Sequence, residues 1–372
     1  MNTRVLVFTA LSMILRTAAG APVEVARGDK ASQPRQPQIA VDEAGTIHLV
    51  HGVNNSVRYC RSDDQGKSFT TPIDLPSVEV LSLGMRRGPR ITAVNGKITI
   101  TAIGGAKGKG QDGNVLAYHS ADAGATWAGP IVINDVADSA REGLHGMCAG
   151  PNGKVCCVWL DLRHRKSEVM AAVSVDGGAS WSRNVLVYQS PDGSVCECCH
   201  PSVAFGMDGA IHVMWRNSLS GNRDMYVATS TDEGVTFGKA VRLGTANWQL
   251  DACPMDGGAI AWSAANGVNT IWQRDGSIFS FTVNDRHERH LGEGEQPWLA
   301  SSSTGLYTVW LKKRGDEALL LRPGDAAPAK LAAQALDPVV AASTHRSGPV
   351  VAAWESRDES GEYTIMCEVV CR

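Results

Sequence analysis

The sequence predicts an all-β fold, a β-propeller of seven four-stranded blades closed by the N-terminal strand, with six blades as the fallback. Three observations predict it. An octapeptide reading S-x-D-x-G-x-[S/T]-[W/F] begins at Ser62, Ser120, Ser174 and Ser230, at intervals of 54 to 58 residues. A pair of short apolar strands recurs seven times along the chain. Glycine (39) and tryptophan (10) are abundant among 372 residues, as tight turns around a repeated packed element require.

The chain opens with an address. Arg4 supplies a positive start, Val5 to Leu15 an apolar stretch, and Ala18 and Gly20 a small-residue cleavage site, so residues 1–20 read as a signal peptide. Nothing later approaches the ~18 apolar residues of a membrane span. The expectation is a secreted or periplasmic protein without stable membrane insertion, its residues 21–372 forming one domain. Lys+Arg number 35 against 38 Asp+Glu, a net charge of −3 that argues against a nucleic-acid partner.

The strand pairs come next. First strands follow a proline or small residue at Pro37, Pro89, Gly146, Pro201, Gly258, Pro297 and Pro338. Their partners are Ile47–His51, Ile98–Ala102, Val155–Trp159, Ile211–Trp215, Val268–Trp272, Leu306–Trp310 and Val350–Trp354. β-Branched content and glycine turns favour strands over helices. Five of the seven partners end in Trp, and this regularity points to packing between blades rather than to sugar stacking. The last repeat leaves 35 residues, room for about three strands, so Pro22 to Gly28 is expected to add the fourth and close the ring.

The octapeptide has its own chemistry. Asp64, Asp122, Asp176 and Asp232 can accept from following backbone N–H groups, and the glycine two residues on can take positive φ. The closing aromatic can pack beneath the turn. These segments are similar to Asp-boxes, and through them the chain resembles the sialidase-like β-propellers that carry BNR repeats. Sialidases have six blades, which sets the six-bladed fallback. The resemblance implies that the octapeptides lie opposite the ligand face and report fold rather than catalysis.

With strands running outward from the axis, the second-to-third and outer-to-inner connections share that ligand face. It is rich in arginine: Arg86, Arg87, Arg90, Arg163, Arg165, Arg216, Arg223, Arg274 and Arg357. Of these, Arg90, Arg163, Arg216, Arg223, Arg274 and Arg357 are the candidates to bind a glycan or other anionic ligand through bidentate forks. The alternative is that each pairs with a neighbouring carboxylate and orders its own loop. The resemblance further implies, for a sialidase, three substrate-binding arginines, an Asp acid/base, and a Tyr nucleophile activated by Glu. Tyr363 with Glu362 and Asp112 are the candidates for those roles. The first arginine of the family sits in a Phe/Tyr-Arg-Ile-Pro segment; Pro89-Arg90-Ile91-Thr92 lacks its aromatic and its proline.

Ten cysteines form the chain's individual feature. Cys196-Glu197-Cys198-Cys199-His200, His145-Gly146-Met147-Cys148 and Cys253-Pro254-Met255-Asp256 precede the inner strands of three adjacent blades. Thiolate, thioether and imidazole make a soft ligand set for copper(I) or, without Met, zinc. Disulfides compete with that reading: export permits them, and Cys148 or Cys253 could bridge to the 196–199 group, or Cys60 to Cys367 or Cys371. A catalytic thiol with His145 or His200 as base is the third possibility. Three functions stand open: an exported, monomeric glycan-binding propeller, an exo-sialidase-type hydrolase, and a metal-handling or redox propeller.

Overall fold

Seven antiparallel sheets of four principal strands each are arranged as the blades of a propeller in the computed structural model, which describes residues 20–372 apart from 109, 141–142 and 344–347. The expected signal peptide lies, but for Gly20, outside the described residues. Blades 1 to 6 occupy 34–74, 80–132, 145–188, 202–242, 259–293 and 295–332 in chain order. Blade 7 takes its inner three strands from Ala335–Ala342, Val350–Arg357 and Tyr363–Cys371, and its outer strand from Val23–Arg27. The last two pair antiparallel, Val23 opposite Cys367 and Arg27 opposite Thr364, so the N-terminal strand closes the ring as expected. In blade 2 a short extra strand, Val80–Leu81, extends the inner edge beside Arg90–Val94.

Each predicted apolar pair lies on the first two strands of a blade. The core is divided in seven, with one apolar cluster at each interface between neighbouring blades. Trp159, Trp215, Trp272, Trp310 and Trp354, at or near the ends of the second strands, are buried in these clusters. Their recurrence is therefore packing.

The four octapeptides connect third to outer strands and are near-identical. In each, the first Ser donates to the Asp (2.7–2.8 Å) and receives the Gly N–H (2.8–2.9 Å). The second hydroxyl donates to the other carboxylate oxygen at 2.6 Å. Gly124 has φ +88°, and a Cβ there would stand 2.5 Å from the Tyr59 hydroxyl of the preceding blade. The turn thus leans on its neighbour, and Phe69, Trp127, Trp181 and Phe237 pack onto the clusters at the same interfaces.

The innermost strands of blades 1, 6 and 7 share a bulge. Register slips at Gln36-Pro37, Gln296-Pro297 and Asp337-Pro338, where the residue before proline takes φ of 56°, 54° and 46°. Proline brings no N–H to the ladder, so the break falls there. All three residues before proline are buried near the axis.

Two outcomes follow. Trp215→Ala, at a position fully excluded from solvent, is expected to lower stability by about 3–5 kcal/mol in denaturant unfolding. Asp122 and Asp232 are held at about 2 by the hydroxyl and amide donors of their turns. Their contribution is present above the ordinary Asp value of 3.8 and is lost as pH falls toward 2. Asp122→Asn should flatten the acid limb of the stability curve.

Candidate functional site

Strand order places the second-to-third and outer-to-inner connections on the face opposite the octapeptide turns. An open pocket of about 680 Å³ lies on that face where blades 6, 7 and 1 meet, lined by Arg35, Arg314, Arg357, Asp358, Glu359 and Tyr363 among others. Its parts come from both ends of the chain.

Arg35 enters the pocket just ahead of the blade 1 bulge. Its Nε donates to Glu355 Oε2 at 2.9 Å, and its guanidinium lies 4.1 Å from the centre of the Tyr363 ring. Glu355, near the end of the second strand of blade 7, has no solvent exposure. It also accepts from the Gln36 backbone N–H (2.6 Å) and from Gln36 Nε2 (3.0 Å). Burial, with Asp337 nearby, pushes its carboxyl up to about 7. Arg314, on the second-to-third loop of blade 6, contacts Asp337 at 2.7 Å and donates to Gln296 Oε1. The Arg357 guanidinium also stands over Tyr363, 5.6 Å from its ring centre. It is exposed and has no carboxylate partner among the described residues.

Arg86 closes the axis beside this pocket. From the connection into blade 2 it crosses to donate to the carbonyls of Pro338 (3.1 Å) and Gln296, and its own N–H reaches Asp337 Oδ1. Arg90 donates to the Arg86 carbonyl, and both guanidinium groups face Trp298, against which His200 stacks. Burial lowers the pKa of both arginines, that of Arg90 to about 9. Below this plug the inner strands of six blades surround a cavity of about 170 Å³.

Most candidate ligand arginines are engaged within the protein. Arg90 is part of the axial plug. Arg163 meets Asp161, Asp135 and Asn184 with all three nitrogens. Arg216 donates to the carbonyls of Asp256, Arg223 and Gln273. Arg223 holds the Leu250 carbonyl, and Arg274 clasps Glu288 with two bonds. Only Arg357 of the six lines the pocket. Asp112 is likewise turned inward, accepting from Ala106 and Lys107 in its own loop. Tyr363 is in the pocket; the adjacent Glu362 is not among its lining residues, and the buried acid near Tyr363 is Glu355. Arg35 and Arg314 escaped the sequence reading. Arg35 carried a signal, because Pro34-Arg35-Gln36-Pro37 keeps an arginine two residues before a proline. Arg314 carried none.

The cysteines divide differently from expectation. All ten are free thiols, with no pair at bonding distance. Cys196, Cys198 and Cys199 gather with sulfurs 3.4 to 3.9 Å apart. Met255 packs on the group, whereas Cys253 is exposed and stands outside the close trio. The Cys198 and Cys199 thiols pull Cys196 well below the ordinary thiol range. Other members stand elsewhere: His145 bonds Thr101, His200 bonds the Gly258 carbonyl, and Cys148 pairs across strands with Cys156. Cys60 and Cys367 share the apolar cluster at the ring closure, unbonded.

No family model and no curated protein sequence matches the chain. Solved structures do. A protein of unknown function from Dyadobacter fermentans is 15% identical, with 95% of this chain and 99% of that one covered and a TM-score of 0.54. An α-L-arabinanase of Penicillium chrysogenum, complexed with arabinobiose, is 14% identical over 94% and 98%, also at 0.54. A mutant Trypanosoma rangeli sialidase displaying trans-sialidase activity is 13% identical over 95% of this chain and 60% of its own, at 0.54. At such identities the likeness is one of fold alone, the β-propeller.

The Glu355 carboxyl gives a test of this geometry. Its raised pKa contributes stability that is full below the ordinary value of 4.5 and lost as pH rises through about 7. Over that window the wild type should lose stability relative to Glu355→Gln, measured by denaturant unfolding at each pH.

Proposed function

We propose that the protein is an exported, monomeric propeller that binds an acidic glycan in the pocket at the ring closure, on the face opposite the four octapeptide turns, which we read as Asp-boxes. The observation that carries this is the convergence of Arg35, Arg314 and Arg357 around one tyrosine in an open pocket of about 680 Å³. Arg35 and Arg314 are anchored by Glu355 and Asp337, so their positions are held before a ligand arrives. Arg357 lacks such a partner and is the fork available to a carboxylate. The arabinanase and sialidase likenesses support a sugar as the ligand class. The three arginines with a tyrosine match the acidic-sugar pattern better than the neutral-sugar one.

Arg357→Ala should remove a charge-assisted contact of about 1.5–3 kcal/mol, weakening affinity for sialosides or uronates by about 10- to 100-fold in calorimetric titration. Arg163→Ala should leave binding unchanged. Tighter binding of neutral arabino-oligosaccharides, unaffected by Arg357→Ala, would overturn the reading.

A second reading, hydrolysis of the sialidase type, is favoured by one arrangement. Tyr363 lies under Arg35, and Arg35 bonds the buried Glu355, whose carboxyl titrates near neutrality. A nucleophilic tyrosine is activated by a cation that favours its phenolate and by a carboxylate that can take up its proton. Turnover of a fluorogenic sialoside that is abolished in Tyr363→Phe would establish it. Inertness of the wild type toward several α-linked sialosides would remove it and leave the binding proposal standing.

A further inference from the structure

We propose that Cys196, Cys198, Cys199 and Cys253 form a tetrathiolate site for a single zinc ion, set between blades 4 and 5 and separate from the arginine-lined pocket. Three of the four sulfurs are buried and already spaced for it. Their separations are 3.4, 3.7 and 3.9 Å. Sulfurs bound tetrahedrally to zinc at ~2.3 Å stand about 3.8 Å from one another. A disulfide needs sulfurs about 2.05 Å apart, and adjacent residues such as Cys198 and Cys199 have Cα atoms closer together than the usual bridge.

The fourth ligand comes from a different loop. Cys196 to Cys199 lie on the connection entering blade 4, and Cys253 on the connection entering blade 5, exposed beside the trio, so that a turn of its side chain completes the set. One buried side chain ties the two loops together. Arg216 donates from Nε to the Asp256 carbonyl, while its own carbonyl receives the Cys196 N–H at 3.0 Å. Arg223 anchors the second loop again, through its N–H to the Trp248 carbonyl (2.7 Å) and its Nε to Leu250. The thiol cluster is therefore pre-assembled by bonds outside it, as the surroundings of a metal site usually are.

Four thiolates on a divalent ion leave a surplus of two negative charges, and the Arg216 guanidinium, bonded to the Asp256 carbonyl of the second loop, sets a positive charge beside them. The donor set also selects the ion. Sulfur ligands in four-coordinate geometry suit zinc, whereas oxygen-seeking cations find no carboxylate within the cluster. His145, Cys148 and His200 play no part, being held by other partners.

The test uses the full chain, purified under reducing conditions with zinc supplied. Metal analysis should find stoichiometric zinc, retained through dialysis and removed by a strong chelator together with a fall in melting temperature. Cobalt(II) loaded in place of zinc should give intense thiolate-to-metal charge-transfer bands and a tetrahedral ligand-field spectrum. Cys198→Ser and Cys253→Ser should each abolish stoichiometric zinc, while Cys371→Ser should not. If Cys198→Ser fails to fold, the cobalt spectrum of the wild type and the Cys253→Ser variant still decide the matter. Three results would overturn the proposal: no retained zinc and no cobalt charge transfer, a Cys196–Cys199 disulfide in the reduced and zinc-loaded protein, or binding of copper(I) alone that is indifferent to Cys253→Ser.

Discussion

Pairing of Val23–Arg27 with Tyr363–Cys371 is the interaction on which the rest of the structure depends. A ring of sheets buries apolar faces only between neighbours, so every blade needs two. Until the first and last segments share a sheet, blade 7 lacks its outer strand and the interface between blades 7 and 1 is unsupported. Once they pair, all seven inter-blade clusters are complete and each second strand is covered on both sides.

The same closure creates the candidate site. Arg35 and Glu355 are separated by 320 positions in the chain and bond directly. Tyr363 opens the strand that receives the N-terminal one, and Arg357 faces it across the blade 7 loop. The seam of the ring is thus both the place where the two ends of the chain join and the place where an open, cation-lined pocket lies. Asp-turn clasps on the opposite face hold neighbouring blades together without entering the pocket.

Arginine does two kinds of work in this molecule. Arg86, Arg90 and Arg216 are buried among backbone carbonyls and serve as braces: across the axis, beneath the plug and between two loops. Each offers five donors, which lets one side chain satisfy carbonyls from several elements at once. Arg35, Arg314 and Arg357 keep a face toward solvent. The difference lies in their neighbours, since every one of these arginines sits on a loop or strand end of the same face.

The strands, the four octapeptide turns, the seven repeats and the closing role of the N-terminal segment were legible in the sequence, because each depends on short-range patterns. Alternation sets strand faces, a carboxylate two residues before glycine sets the turn, and recurrence counts the blades. The cysteine run at 196–199 was legible for the same reason, its members being close in the chain. Which arginines face a ligand was not. Arg90 and Arg163 looked equivalent to Arg357 in composition, and Arg314 had no motif at all. Whether a guanidinium meets a carbonyl, a carboxylate or open solvent depends on groups from other blades, often hundreds of residues away. The local code therefore determined the propeller and its turns by itself. Only closure of the ring, which brings residues 35, 314, 355, 357 and 363 to one point, decided where the pocket lies and which charges remain free to act in it.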